Sequence, residues 1–87
     1  MVTVSVKPDA AGWLCTVEVR DNRSATLHLV RVSADELRRL GGTDPADLVR
    51  RSFEFLLAKE AKESILREFD ISAIKRYFPD YEAAIRS

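Results

Sequence analysis

The sequence predicts an α+β fold in which a three-stranded antiparallel sheet packs on C-terminal helices. Valines alternate with polar residues near the N-terminus, a second alternating segment begins at Trp13, and helix start signals appear only from Ser33 onward. The chain has 87 residues, of which 46% are hydrophobic and 32% are charged. This length and composition suit one hydrophobic core, so residues 1–87 are predicted to form a single domain.

The strands are predicted at about residues 2–7, 13–20 and 25–32. In the first, valine alternates with threonine and serine, which is the period of a half-buried strand. In the second, Trp13 and the odd-numbered residues after it share one face. Residues 8–12 are a predicted turn because they contain proline, aspartate and glycine, and residues 21–24 are a predicted hairpin turn because they contain aspartate, asparagine and serine.

The register of the third strand stays open in the sequence. Leu27 and Leu29 are at odd-numbered positions and Val30 and Val32 at even-numbered ones, so these apolar residues would lie on opposite faces of a regular strand. Either both faces of the strand are covered, or a bulge near Leu29 shifts the register. Pairing Arg20 with Ala25 is the favoured alternative. It would extend the face of Trp13, Cys15, Val17 and Val19 with Thr26, His28, Val30 and Val32.

The helices are predicted at about residues 34–40, 45–59, 61–69, 73–77 and 79–85. Ser33 and Glu36 have the spacing of a capping box at the start of the first. Asp44 can cap the second, and Pro45 suits its first position. The apolar residues of this second helix span an arc of about 200°, which is more than one sheet face usually covers. The helix is therefore predicted to be central, or to meet another chain.

Composition limits the classes of function. Lys and Arg number 14, as do Asp and Glu, so the net charge is zero and gives no long-range attraction to nucleic acid or to an anionic membrane. Cys15 is the only cysteine, which excludes an internal disulfide. Neither an export segment nor a membrane-spanning segment is recognisable, so a cytoplasmic protein without membrane contact is expected.

The residues offer little catalytic chemistry. His28 is the only histidine, and it could neighbour Cys15 if the favoured register holds. A nucleophilic pair needs an exposed thiolate and an orienting third group, whereas Cys15 lies in a row of apolar residues. No metal-ligand spacing and no phosphate-binding glycine loop occurs in the sequence. The prediction is a protein that is not an enzyme, with no catalytic residues, no metal and no cofactor.

Three segments of the C-terminal half carry a resemblance. Residues 52–57 (SFEFLL), 63–66 (ESIL) and 77–82 (YFPDYE) are similar to those of an uncharacterised group of short bacterial proteins. That group has no established activity, so the resemblance assigns no functional residues. It implies a bacterial source and a conventional folded domain.

The leading functional hypothesis is a non-catalytic interaction or regulatory module that binds a protein partner or a second copy of itself. Its candidate surface consists of Phe53, Phe55, Leu57, Lys75, Arg76, Tyr77 and Tyr81. The alternative is a nucleic-acid-associated accessory protein, because Lys75 and Arg76 are interleaved with aromatic residues. The zero net charge makes nucleic acid the weaker alternative.

Overall fold

The computed structural model describes residues 1–86 and has an α+β fold, which confirms the predicted class. Its strands are β1 (Val2–Asp9), β2 (Gly12–Arg20), β3 (Ala25–Ser33) and β4 (Glu68–Asp70). Its helices are α1 (Ala34–Arg39), α2 (Pro45–Lys59), α3 (Ile74–Tyr77) and α4 (Tyr81–Arg86). Two 3₁₀ turns, Lys62–Ser64 and Ile71–Ala73, flank β4.

The strands form one sheet in the order β1-β2-β3-β4. The first three are antiparallel, as predicted, whereas β4 pairs parallel with β3 opposite Leu29, Val30 and Arg31. The sheet is therefore four-stranded and mixed, and the prediction of three antiparallel strands was incomplete. A parallel strand reaches its partner only after a long crossover connection, so the local sequence pattern does not predict this pairing.

The second hairpin has the favoured register. Arg20 lies opposite Ala25, and the pairing continues without a bulge to Gly12 opposite Ser33. The turn between the strands is held by Asp21, whose side chain accepts from the amides of Arg23 and Ser24. His28 and Val30 therefore face the core together with the odd residues of β2, while Leu27 and Leu29 lie on the outer face of the sheet.

The first two helices begin where their capping residues predict. The Ser33 hydroxyl accepts from the amide of Glu36 at 3.0 Å, and the Asp44 carboxylate accepts from the amide of Ala46 at 3.1 Å. Pro45 opens α2, and α2 has the predicted bounds. The C-terminal helices are shorter than predicted, because α3 begins only after the 3₁₀ turn and α4 begins at Tyr81.

The predicted helix over residues 61–69 was wrong. In its place the chain forms the 3₁₀ turn Lys62–Ser64, an extended stretch through Ile65, and β4. The backbone amide of Leu29 donates to the carbonyl of Arg67 at 2.8 Å, which ties the extended stretch to the edge of β3. Ile65 and Phe69 point into the core, so tertiary packing and strand pairing override the helical preference of the local residues.

The core lies between one face of the sheet and the helices. Residues of β2, β3 and β4 are buried there. Helix α2 packs across the sheet, and α4 packs against the other side of α2. Val2 and Val4 of β1 are only partly buried at its margin. Among residues 1–86, no helix is long and apolar enough to cross a membrane.

Candidate functional site

The predicted interaction residues separate into buried and exposed groups. Phe53 and Tyr81 are each 1% exposed and belong to the core, so neither can contribute to a surface of this fold. Phe55 and Leu57 are partly buried against the core. The exposed members are Lys75, Arg76 and Tyr77.

Most of the apolar residues in the wide arc of α2 pack against other parts of the same chain. One side packs on the sheet, where the Phe53 ring contacts those of His28 and Phe69 at centroid distances of 5.2 and 6.1 Å. On the other side, the Phe55 ring lies edge-on to Phe78 and Tyr81. The structure thus supports the first of the two predicted explanations, a central helix, and the arc gives no support to a partner chain.

Cys15 and His28 lie on the same buried face of the sheet. Cys15 is opposite Val30 and His28 is opposite Val17, so their side chains occupy diagonal positions on neighbouring strands. Burial, and secondarily the charge of Asp44, raises the pKa of the Cys15 thiol to about 11. A thiol with this pKa is protonated at neutral pH and is a poor nucleophile, so Cys15 acts as a small apolar core residue.

His28 has a structural role in this core. Its Nδ1 lies 2.8 Å from the carbonyl oxygen of Leu66 and donates to it, because a carbonyl only accepts. Its Nε2 lies 2.8 Å from the hydroxyl oxygen of Thr26. Both ring nitrogens are therefore engaged, and His28 fixes the backbone at Leu66 to the inner face of β3.

We expect the substitution His28→Leu to lower the free energy of unfolding by about 2–3 kcal/mol. It leaves the Leu66 carbonyl without its donor and removes an aromatic contact with Phe53. Thr26→Val is the matched control. It removes only the hydroxyl at Nε2 and should cost about 1 kcal/mol. Urea denaturation measures both, and equal stability of His28→Leu and the native chain would contradict the anchoring role.

An apolar groove lies beside the backbone that His28 anchors. Its volume is about 420 Å³, and it lies between the C-terminal half of α2, the Ile65–Leu66 stretch, β4 and α3. Its polar lining residues are Glu60 and Ser64. Its other lining residues are Leu56, Ile65, Leu66, Phe69, Ala73, Ile74, Tyr77 and Phe78.

Two large side chains of the groove are open to solvent. Leu66 is 50% exposed and Tyr77 is 65% exposed, whereas Ile65 and Ile74 form a buried floor. Of the predicted surface residues, the groove contains only Tyr77. Leu66 is not among the predicted surface residues because residues 61–69 were predicted to form a helix. In the extended chain, successive side chains point in opposite directions.

The fixed charges near the groove leave two arginines unpaired. Lys75 bridges to Glu82 at 3.5 Å, and Arg39 binds the same carboxylate at 2.7 Å. Arg67 and Arg76 directly follow and precede the exposed groove residues Leu66 and Tyr77 in sequence. Neither forms an ion pair within residues 1–86.

The outer face of the sheet is the other exposed surface with apolar residues. Leu27 is 58% exposed there and Leu29 is 37% exposed. Ion pairs between Arg20 and Glu18 and between Arg31 and Glu68 lie on the same face. The apolar residues on this face are therefore bordered by charges, and they do not enclose a groove.

Comparison with known proteins gives no relative for this chain: no protein family, no curated protein and no solved structure matches it. The resemblance of the C-terminal half to short bacterial proteins stays a prediction. Within the described residues, no group of three or more His, Cys, Asp or Glu side chains is placed to hold a metal ion.

Proposed function

We propose that this domain is a non-catalytic interaction module and that its groove binds an apolar, acidic segment of a partner protein. The observation that carries the proposal is the apolar groove with Leu66 and Tyr77 exposed at its mouth. The expected bacterial source and cytoplasmic location stay predictions.

The apolar part of the proposal follows from the cost of exposing large hydrophobic side chains. Leu66 and Tyr77 lie beside the buried floor of the groove. A partner side chain inserted between them would therefore be removed from water on several of its sides. Burying one leucine-sized side chain contributes about 1.5–3 kcal/mol, which corresponds to roughly tenfold to hundredfold in affinity. A short segment with one or two apolar anchors suits a groove of this size.

The acidic part of the proposal follows from the unpaired charges. Arg67 and Arg76 adjoin the exposed groove residues in sequence and have no ion-pair partner in the described chain, whereas Glu60 is the only acid that lines the groove. Neither arginine lines the groove, so the acidic residues that reach them would be those that flank the apolar anchor outside the groove. Such rim charges act mainly on association rate and on the choice of partner.

The nucleic-acid alternative loses part of its support. Of its basic residues, Lys75 is held by Glu82, and of its aromatic residues, Tyr81 is buried with its hydroxyl against Ser52. Arg76 and Tyr77 remain available, which is a small contact for a ligand that depends on several phosphate contacts. We retain this alternative as an outcome of the experiment.

The test is selection of displayed random peptides on the whole domain, followed by titration of the enriched peptides. We expect enrichment of apolar residues flanked by Asp or Glu, and Leu66→Ser should weaken binding at least about tenfold. Leu27→Ser is the matched control, because that leucine is at least as exposed as Leu66 but lies on the outer face of the sheet. Arg76→Glu should weaken binding further and reduce its salt dependence.

Two results would contradict the proposal. One is the selection of peptides whose binding Leu27→Ser weakens and Leu66→Ser does not. The other is low-salt binding of single-stranded DNA or RNA that is lost in Arg76→Glu and kept in Leu66→Ser, which would favour the nucleic-acid alternative.

A further inference from the structure

The outer edge of β1 presents unpaired backbone groups. Met1 and Arg20 exchange two backbone hydrogen bonds, of 2.7 and 2.9 Å, across the β1–β2 pair. Hydrogen-bonded and non-hydrogen-bonded pairs alternate along an antiparallel ladder, so Thr3 and Ser5 also bond to β2. The amides and carbonyls at positions 2, 4 and 6 therefore point away from the sheet, and they have no partner within residues 1–86.

The two edges of the sheet differ in their protection. On the β3 side, β4 is only three residues long and lies between two 3₁₀ turns. On the other side, β1 runs for eight residues in continuous register with β2, without a bulge. Its edge-protecting residues, Lys7 and Pro8, are both at one end. A long, regular edge rich in β-branched residues is a template for another strand.

We propose that this edge binds a second copy of the chain, with the two β1 strands antiparallel about a two-fold axis at Val4. In this register, Val4 faces Val4 of the second copy and Val2 faces Val6, so each valine both donates and accepts. The valine side chains then pair on the covered face, and Thr3 pairs with Ser5 on the outer face. Val6, which is 37% exposed, becomes covered.

The neighbouring registers satisfy fewer groups. An axis at Thr3 pairs Val2 with Val4 and leaves Val6 beyond the second copy's β1. An axis at Ser5 places Pro8 opposite Val2, where Pro8 has no amide to donate. The register centred on Val4 is thus the symmetric one that pairs all the outward valine groups.

The space beneath the edge can take the added side chains. A depression of about 230 Å³ borders Val4 and the start of α2, with Asp44, Asp47 and Arg50 in its lining. A two-fold axis at Val4 places the depressions of the two copies against each other. The acids of one copy then lie near Arg50 of the other, which already pairs with Asp47 and Glu54 of its own chain. Asp44, which caps α2, has no ion pair within the described part of its own chain.

The decisive variant is Val4→Pro, measured by sedimentation velocity over a dilution series. The native chain should show a concentration-dependent monomer–dimer equilibrium. Proline at position 4 removes an outward amide and a partly buried valine side chain but no hydrogen bond to β2, so the monomer should stay folded by circular dichroism. It removes one bond from each copy, and the dimer dissociation constant should rise at least about tenfold. Ser5→Ala, on the outer face, is the control and should leave dimerisation unchanged.

Cysteine cross-linking reads the register. Val4→Cys, Thr3→Cys and Ser5→Cys each place a thiol on one candidate axis, and the buried Cys15 should leave the native chain uncross-linked under the same oxidation. Directly opposed positions have a Cα separation compatible with a disulfide, whereas positions one residue off the axis do not. Val4→Cys should form covalent dimer fastest.

A monomer at millimolar concentration, or faster cross-linking of Thr3→Cys or Ser5→Cys, would overturn the proposal. The proposal does not depend on the groove.

Discussion

The substitution Phe53→Ala is expected to lower the free energy of unfolding by about 3–5 kcal/mol. The Phe53 side chain is 1% exposed and contacts His28 of β3 and Phe69 of β4. Its removal leaves a cavity where α2 crosses the sheet. The total stability of a domain this small is on the order of 5 kcal/mol, so the variant should be largely unfolded at 37 °C. Urea denaturation of the native chain and thermal melts of both proteins measure the effect.

Glu54→Ala is the matched control for this prediction. The residue is the next one along α2 but is exposed, and it forms only a surface ion pair with Arg50. We expect a change within about 0.5 kcal/mol. If Phe53→Ala stays folded and stable but loses self-association, Phe53 is an interface residue, as the sequence predicts, and the core assignment is wrong.

The stability of the domain is expected to fall steeply as the pH rises above about 9. Burial raises the pKa of the Cys15 thiol to about 11, and burial also raises the pKa of the Tyr81 hydroxyl to about 12, against the opposing effect of its hydrogen bond with Ser52. In the unfolded chain both groups lose their protons near their ordinary pKa values. The folded state therefore binds more protons between pH 9 and 12, and the free energy of unfolding decreases with pH. Each group contributes a loss of up to about 3 kcal/mol.

Variants separate the two contributions. Cys15→Ala should flatten the decline between pH 9 and 11, and Tyr81→Phe should flatten it between pH 10 and 12, although each lowers the stability at neutral pH. Urea denaturation at a series of pH values measures the slopes. If the free energy of unfolding falls with pH equally steeply in both variants and in the native chain, the Cys15 thiol and the Tyr81 hydroxyl do not cause the loss of stability at high pH. The lysine residues would then be its source.

Local signals predicted much of the fold because the residues that decide it are close in sequence. At the helix starts, the side chains of Ser33 and Asp44 accept from unpaired backbone amides, and Pro45 has no amide that needs a partner. Such effects depend only on the next few residues. The Arg20–Ala25 register follows from a short turn and from the need to bury His28 and Val30. These features were confirmed by the structure.

The region from residue 60 to residue 70 could not be predicted in the same way. Its local sequence is compatible with a helix, but Leu29 of a distant strand supplies the hydrogen bond that keeps it extended. Lys62 illustrates the same difficulty. Its neighbours suggest a solvated helix surface, whereas its side chain is only 6% exposed and its ammonium lies 2.6 Å from Asp21 and 2.7 Å from Glu63. The groove depends on this extended segment, so most of the candidate site was hidden as well.

The brevity of β4 has a consequence for solubility under stress. While β4 is in place, the described chain offers one long free edge, and association through a single edge closes after two copies. Detachment of β4 would uncover the side of β3 that it pairs with, at Leu29, Val30 and Arg31. A sheet that is open on both sides can add copies without end, and the product is a filament. Substitutions that loosen this three-residue strand therefore favour insoluble polymer even before they unfold the core.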